Sequence, residues 1–243
     1  MKYAIKLIRD GHFDLVRQEL SKRVYHRSLT FGLGRDLEKE FTPEPAKIKI
    51  QIRRLQKSDI DHLFDNQELL DKHPKLVNYQ KNLIHSGIAT CYVAVDENDI
   101  PCYMQWLICS DENNKLLNHF KGEFPPLDKE EALLEGAFCN PDFRGNKVMP
   151  AAMSSIAEKA KDLGVRRVRT YVEIHNIPAL KGCMRAGFTP FQLRKDRWLL
   201  FRRSSTFGPI PDDLYEKYLT DMGITELQNS PQSIQSSRQS LPT

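Results

Sequence analysis

Only five of the 243 residues are cysteine, and no two of them form a CxxC pair. So few and so scattered a set excludes a disulfide framework and a paired-cysteine zinc site, and predicts reduced thiols in a cytoplasmic protein. No apolar run is as long as the roughly 18 residues that mark a membrane span. The opening "MKYAIKLIRDGHF" lacks the long apolar centre and small-residue cleavage site of a secretory signal. Excess charge is scarce too. The 36 Lys and Arg barely outnumber the 32 Asp and Glu, and they are scattered, which argues against a dedicated nucleic-acid binder. No internal repeat is found. Against these absences stand 40% hydrophobic and 28% charged residues, enough apolar material for a packed core.

Residues 1–46 read as a basic helical extension. Ile5, Ile8, Leu15, Val16, Leu20 and Val24 can share one stripe, edged by Arg9, Arg17, Lys22, Arg23 and Arg27. Such a stripe can lie on an anionic membrane or against a partner; helical cover for the chain's own core is the expected role. Gly32, Gly34, Pro43 and Pro45 punctuate the next stretch, and a boundary is placed near Ala46.

From residue 47 the periodicity alternates. "KIKIQIRRL" has period two through Ile48, Ile50 and Ile52 and predicts a strand. "KSDIDHLFDNQELL" begins at a capping Ser58 or Asp59 and predicts a helix, as does "PKLVNYQKNLIHSG", bracketed by Pro74 and Gly87. "TCYVAVDENDIPCYMQWLICS" is a strand pair around a polar turn. Residues 111–129 read as an irregular polar insertion. "EALLEGAFCN" is a strand, Pro150 to Leu163 a helix stopped by Gly164, "VRRVRTYVEIHN" a strand, "IPALKGCMRAG" a short helix and "FTPFQLRKDRWLLFRR" a hairpin. Trp106 and Trp198 fall in strands and read as core. "PDDLYEKYLTDMG" suggests one more helix, and the Ser- and Gln-rich end reads as disordered. The expected fold is mixed α/β with a mostly antiparallel sheet flanked by helices. A domain over 47–203 is followed by an extension over 204–243.

The densest chemical signal is "NPDFRGNKVMPAAM", Asn140 to Met153. A strand ends, an Arg-Gly turn comes next, and a helix begins. The first amides of a helix lack intrahelical partners and sit at the positive end of its dipole, so an anion can bind there, with Arg144 and Lys147 adding charge.

Together, "LLEGAFCNP", "RGNKVM", "PAAMSSIAEKAKDLG", "VRTYVEIHN" and "IPALKGCMRAGF" resemble the GNAT superfamily of acyl-CoA-dependent N-acyltransferases over roughly residues 47–203, most strongly over 131–191. The resemblance implies that Arg144 and the amides of Gly145, Asn146, Lys147, Val148 and Met149 hold the pyrophosphate of acetyl-CoA. It also implies that Ala137, Phe138 and Cys139 flank the pantetheine arm, with backbone groups of Ala137 and Cys139 bonding it. The family pattern Asn-x-x-Ala followed by Gly-Phe is met by Asn176, Ala179, Gly187 and Phe188, so Asn176 is expected to touch the cofactor or cap the helix after it. Two positions depart from the family. Lys147 and Met149 replace small residues of the loop, and a positive φ would disfavour a lysine there. Cys183 stands where many members have a tyrosine that protonates the leaving thiolate; it is expected to pack under the pantetheine instead.

N-acylation needs a neutral amine, and so a base. In "EALLEGAFC", Ala132, Leu134, Gly136 and Phe138 are expected on one apolar face, with Glu131, Leu133, Glu135, Ala137 and Cys139 on the other. A mid-strand carboxylate among apolar neighbours is costly unless paired or functional. Glu135 is therefore the candidate base, acting through water, and Gly136 marks a bulge. In "RRVRTYVEIHN", Arg169, Tyr171, Glu173 and His175 share a face that is either an acceptor floor, with His175 an alternative base, or an exposed face with an Arg169–Glu173 pair.

The leading expectation is an acetyl-CoA N-acetyltransferase for a small-molecule amine, without a metal. A longer-chain N-acyltransferase using acyl-CoA or acyl carrier protein, or a non-catalytic partner-binding domain of the same fold, stays open. So do a homodimer and peripheral membrane contact.

Overall fold

In the computed structural model the described residues are 24–64, 67–88 and 90–224. The stripe over residues 1–23 and the Ser- and Gln-rich end lie outside them. Eight strands form one sheet: β1 (Tyr25–Asp36), β2 (Gln51–Arg54), β3 (Cys91–Val95), β4 (Pro101–Cys109), β5 (Glu131–Cys139), β6 (Arg167–Glu173), β7 (Thr189–Leu199) and β8 (Arg202–Gly208). Their spatial order is β2-β3-β4-β5-β6-β1-β7-β8. Every neighbouring pair is antiparallel except β5–β6, which is parallel. The helices are α1 (Lys57–Phe64), α2 (Gln67–Lys72), α3 (Pro74–Ile84), α4 (Asn113–Phe120), α5 (Val148–Lys159), α6 (Ile177–Arg185) and α7 (Asp212–Met222). The mixed α/β sheet expected from the sequence is the fold observed.

Within the segment before Ala46, the described residues 25–36 correct the expectation of helix. Residues 25–36 are not helix and turn but a strand in the interior of the sheet, paired with β6 on one side and β7 on the other. Its two glycines serve close approach rather than chain reversal. A Cβ at Gly32 would lie 2.7 Å from Gln192 Cγ and 3.2 Å from Tyr171 Cε1, and one at Gly34 3.2 Å from Phe191. On the opposite face Phe31 and Leu33 are buried.

Two apolar clusters cover the two faces. One joins Phe31, Leu33, Leu107, Leu134 and Val168 to the buried faces of α5, α6 and α7. The other joins Met104, Trp106, Ile108, Leu133 and Phe138 to α1–α4. Trp106 is thus core, as expected, whereas Trp198 on β7 is only half-buried. Residues 111–129, expected to be irregular, instead carry α4, which buries Leu116 and Phe120. That spacing of four is a helix signal outweighed, in the sequence, by Pro125 and Pro126 downstream.

Arg35 ties β1 to the helical layer. It is almost fully buried, and its guanidinium donates to Ser154 Oγ at 2.7 Å, to the Ala186 carbonyl at 3.2 Å and to Glu158. Glu158 is part-exposed and also meets Lys161, so it is not stranded if Arg35 is removed. Arg35→Met is expected to lower stability by about 2–4 kcal/mol, through lost charge-assisted bonds to buried acceptors. A shifted urea midpoint at unchanged slope would register this.

Candidate active site

The parallel pair β5–β6 is short. Glu131, Ala132 and Leu133 pair with Arg167, Val168 and Arg169, and pairing stops there. Beyond Leu133 the two strands part, leaving an opening between residues 135–139 and the far end of β6.

A bulge sets the geometry of β5 at this opening. Met104 faces Phe138 and Trp106 faces Glu135, so two residues, Gly136 and Ala137, oppose the single Gln105. Gly136 has φ +65°, and a Cβ there would sit 2.6 Å from Leu83 Cδ1 and 2.7 Å from Trp106 Cε3. The bulge also breaks the alternation expected from the sequence. Phe138 packs in the same cluster as Leu133, not with Leu134, because the extra residue reverses the side of everything after it.

Helix α3 holds the bulge through consecutive residues. The Tyr79 hydroxyl donates to Glu135 Oε1 at 2.6 Å, and Gln80 Nε2 donates to the Gly136 carbonyl at 3.1 Å. The Gly136 amide donates to the same Oε1 at 2.9 Å. Desolvation pushes the Glu135 carboxyl above its ordinary value, against the opposing pull of the Tyr79 and Gly136 bonds. Tyr79 is the functional candidate that the sequence did not yield. It lies on an amphipathic helix whose buried members are Val77, Gln80 and Leu83, and only the packing of that helix against β5 brings it to Glu135.

Glu131, on the same strand, is buried and pairs with Arg167 and Arg169. The expected Arg169–Glu173 pair is therefore replaced by Arg169–Glu131. His175 is not on a strand face: β6 ends at Glu173, and His175 is exposed in the turn beyond it. Asn176 next to it accepts a hydrogen bond from the Ala179 amide at 3.3 Å and caps α6.

A wall of aromatic and charged groups stands near Glu135. Phe124 and Tyr171 lie with ring centroids 5.1 Å apart, and Arg194 covers both at 5.4 Å. Arg194 and Arg203 bridge Glu123 and Asp196 in a closed ring of four contacts between 2.7 and 3.1 Å. This ring fastens the loop after α4 to the β7–β8 hairpin. Gln192 donates to the Tyr171 hydroxyl at 2.6 Å.

The loop after β5 begins with a single 3-10 turn, Pro141–Phe143, capped by Asn140. Helix α5 starts at Val148, two residues earlier than the sequence suggested, with Lys147 as its N-cap. Pro150 is thus the third helical residue and has no amide to offer, leaving those of Lys147, Val148 and Met149. Arg144 and Gly145 are exposed. Gly145 has φ +82° and Lys147 φ +54°, so the lysine does adopt the left-handed conformation that favours glycine. Its ammonium meets Glu44 Oε2 at 2.7 Å, and the Lys47 amide donates to the Asn146 carbonyl at 2.9 Å. Residues 44–47 therefore latch the loop. Met149 lies against Gly182, where a Cβ would be 2.7 Å from its sulfur. Cys183, on the same helix, is buried in the core, and burial pushes its thiol up to about 12. All five cysteines are free thiols. Among the described residues no cluster of His, Cys, Asp or Glu is arranged to hold a metal, and no helix is long and apolar enough to cross a membrane.

Among solved structures, the chain is similar to the glucosamine N-acetyltransferase region of a fungal multi-domain beta-N-acetylglucosaminidase. The identity is 17% and the TM-score 0.52, over 75% of this chain and 22% of that one. A GNAT-family acetyltransferase from Colwellia psychrerythraea is 16% identical over 70% of this chain and 55% of its own, with a TM-score of 0.47. At such identities the first likeness concerns the fold alone, and the chain spans well under two thirds of either structure's length. Comparison with curated protein sequences gives no significant match. The model of the acetyltransferase (GNAT) family matches residues 59–188, more than half of the chain. From Asp59 through the bulged strand, the loop into α5 and the capped helix α6, the chain belongs to the GNAT acetyltransferase family.

Proposed function

We propose that this protein transfers an acetyl group from acetyl-CoA to the amine of a small-molecule acceptor, with Glu135 as the base. The observation that carries this reading is the Glu135 carboxyl at the mouth of the β5–β6 opening, part-buried, with a raised pKa and one oxygen fixed by Tyr79 and Gly136. Both bonds fall on Oε1, so Oε2 is the oxygen that accepts the proton of the incoming ammonium, through water. Acetyl-CoA supplies the thioester. Arg144 and the loop amides from Gly145 to Met149 would hold its pyrophosphate; the open space around Gly145 and the free amides at the start of α5 fit such a group. Ala137, exposed on the strand, and its neighbours Phe138 and Cys139 suit an extended arm entering the opening. Cys183, buried and with a raised pKa, suits packing rather than proton donation. Asn176 acts by capping α6, and His175 is the alternative base.

The pairing of Lys147 with Glu44 takes positive charge away from the phosphate loop, and this favours a second reading in which the donor is an acyl carrier protein; a longer acyl-CoA would carry the same pyrophosphate as acetyl-CoA. Thiol release with acetyl-CoA, octanoyl-CoA and an acylated carrier protein, each offered a panel of amines, separates the two. Arg144→Ala should weaken acetyl-CoA binding about tenfold, as for one exposed charge-assisted contact. Unchanged affinity by calorimetry removes Arg144 from the site.

A further inference from the structure

The β7–β8 hairpin closes on Leu200 and Phe201. Both have positive φ, +46° and +66°, and the loop between the paired Leu199 and Arg202 is just these two residues long. Loops of this kind favour Asn-Gly because bulky side chains are strained there. Here two of the largest apolar side chains occupy them and face solvent, Leu200 68% and Phe201 56% exposed. Val24, Tyr25 and Leu199, on the two strand ends beside them, are also exposed, and the Leu200 amide donates to the Val24 carbonyl.

The charge around this tip is mostly positive, with one exposed acid, Glu173 opposite Thr30, at its base. In residues 24–29 and 195–207 the exposed ionic side chains include Arg27, Lys195, Arg197 and Arg202, while the sole acid, Asp196, is buried and held by Arg194 and Arg203. Residues 1–23, which lead into Val24, add six Lys and Arg against three Asp and Glu. The tip also projects. Just past β6, the Ile174 amide donates to the Leu29 carbonyl of β1, and Tyr25–Ser28 continue beyond this point paired with β7, about 14 Å at about 3.4 Å per residue. Because β1 and β6 are antiparallel while β5 and β6 are parallel, this projection leaves the sheet at the end where β5 and β6 part.

We propose that this tip, Leu199–Phe201 with Val24 and Tyr25, docks on an anionic lipid surface, the apolar side chains entering the headgroup region and the surrounding arginines and lysine meeting lipid phosphates. Apolar groups ringed by cations, with the exposed Glu173 set back opposite Thr30, suit that chemistry. A second copy of the chain would present the same positive tip and repel it.

The test is sedimentation of the full-length protein with vesicles of phosphatidylcholine alone or of phosphatidylcholine mixed two to one with phosphatidylserine. Binding is expected only with phosphatidylserine, and it should fall as salt rises. The variant L200N/F201G gives the loop its preferred residues, so its thermal midpoint should hold or rise while its partition coefficient drops at least about tenfold. R197Q/R202Q should lose about fivefold per charge. Absence of phosphatidylserine-dependent binding overturns the proposal. So does retention of binding in L200N/F201G, which would put the contact in residues 1–23. A wild-type dimer that the tip variant dissolves overturns it as well, since a second copy would then cover the tip.

Discussion

Glu135→Gln should lower kcat by about 10²-fold or more, as for the loss of a general base, while leaving acetyl-CoA affinity within about twofold. The amide keeps the shape of the carboxylate and its bond from Tyr79, so the change isolates basicity. The pH profile adds a sign. Burial raises the Glu135 pKa, so in the wild type kcat/KM should climb as pH rises through a value above the ordinary carboxylate range, and the Gln variant should lack that limb. Tyr79→Phe removes a bond that favours the charged carboxylate; the limb should then move to higher pH. Stability runs the other way. A carboxyl whose pKa is higher folded than unfolded binds more protons in the native state between the two values, so its contribution falls as pH rises through that window. If Glu135→Gln turns over within threefold of wild type from pH 6 to 9 while His175→Ala is crippled, the base lies beyond β6 instead.

Gly136→Ala is expected to cost about 2–5 kcal/mol, the sum of two effects. A methyl at φ +65° costs about 1–2 kcal/mol in backbone strain, and its overlap with the Trp106 ring and Leu83 adds about 1–3 kcal/mol of overpacking. The Leu83 methyl can swing aside; the indole, buried in the core, cannot. A bulge flattened to relieve the overlap would move Glu135 off Tyr79, so activity should fall together with the urea midpoint. A change within about 0.5 kcal/mol, the range of an ordinary surface substitution, would mean that the bulge tolerates a side chain and is not what sets Glu135.

Where the chain's periodicity is local, the fold can be read from it. Residues 51–54 of "KIKIQIRR", the apolar runs of β3 and β4 and "EALLEGAFC" became strands, whereas residues 47–50, with Ile48 and Ile50, lie before β2. β1 carried period two in Leu29, Phe31 and Leu33, but Gly32 and Gly34 looked like punctuation. Their reason lies in the crowding of Tyr171, Phe191 and Gln192 from β6 and β7, so far along the chain that no local window contains them. The candidate site divides along the same line. Glu135 stands out as a carboxylate amid apolar neighbours, and Asn176 as the residue before "IPAL". Tyr79 does not, because one face of an amphipathic helix gives no sign of which strand it will meet. The bulge reversed Phe138 for a related reason: one added residue changes sides without changing composition.

The position of β1 bears on how the chain reaches this state. Its strand is finished by residue 36, but its partners begin at residues 167 and 189. At ribosomal speeds of about 5–20 residues per second, roughly ten seconds separate the synthesis of β1 from that of β6. During that time β1 has neither neighbour, and the sheet cannot close on either side of it. The late, long-range entry of an early strand is a slow step by its topology. It also makes the nascent chain, more than the finished protein, the form in which the "LTFGLG" edge is exposed to other chains.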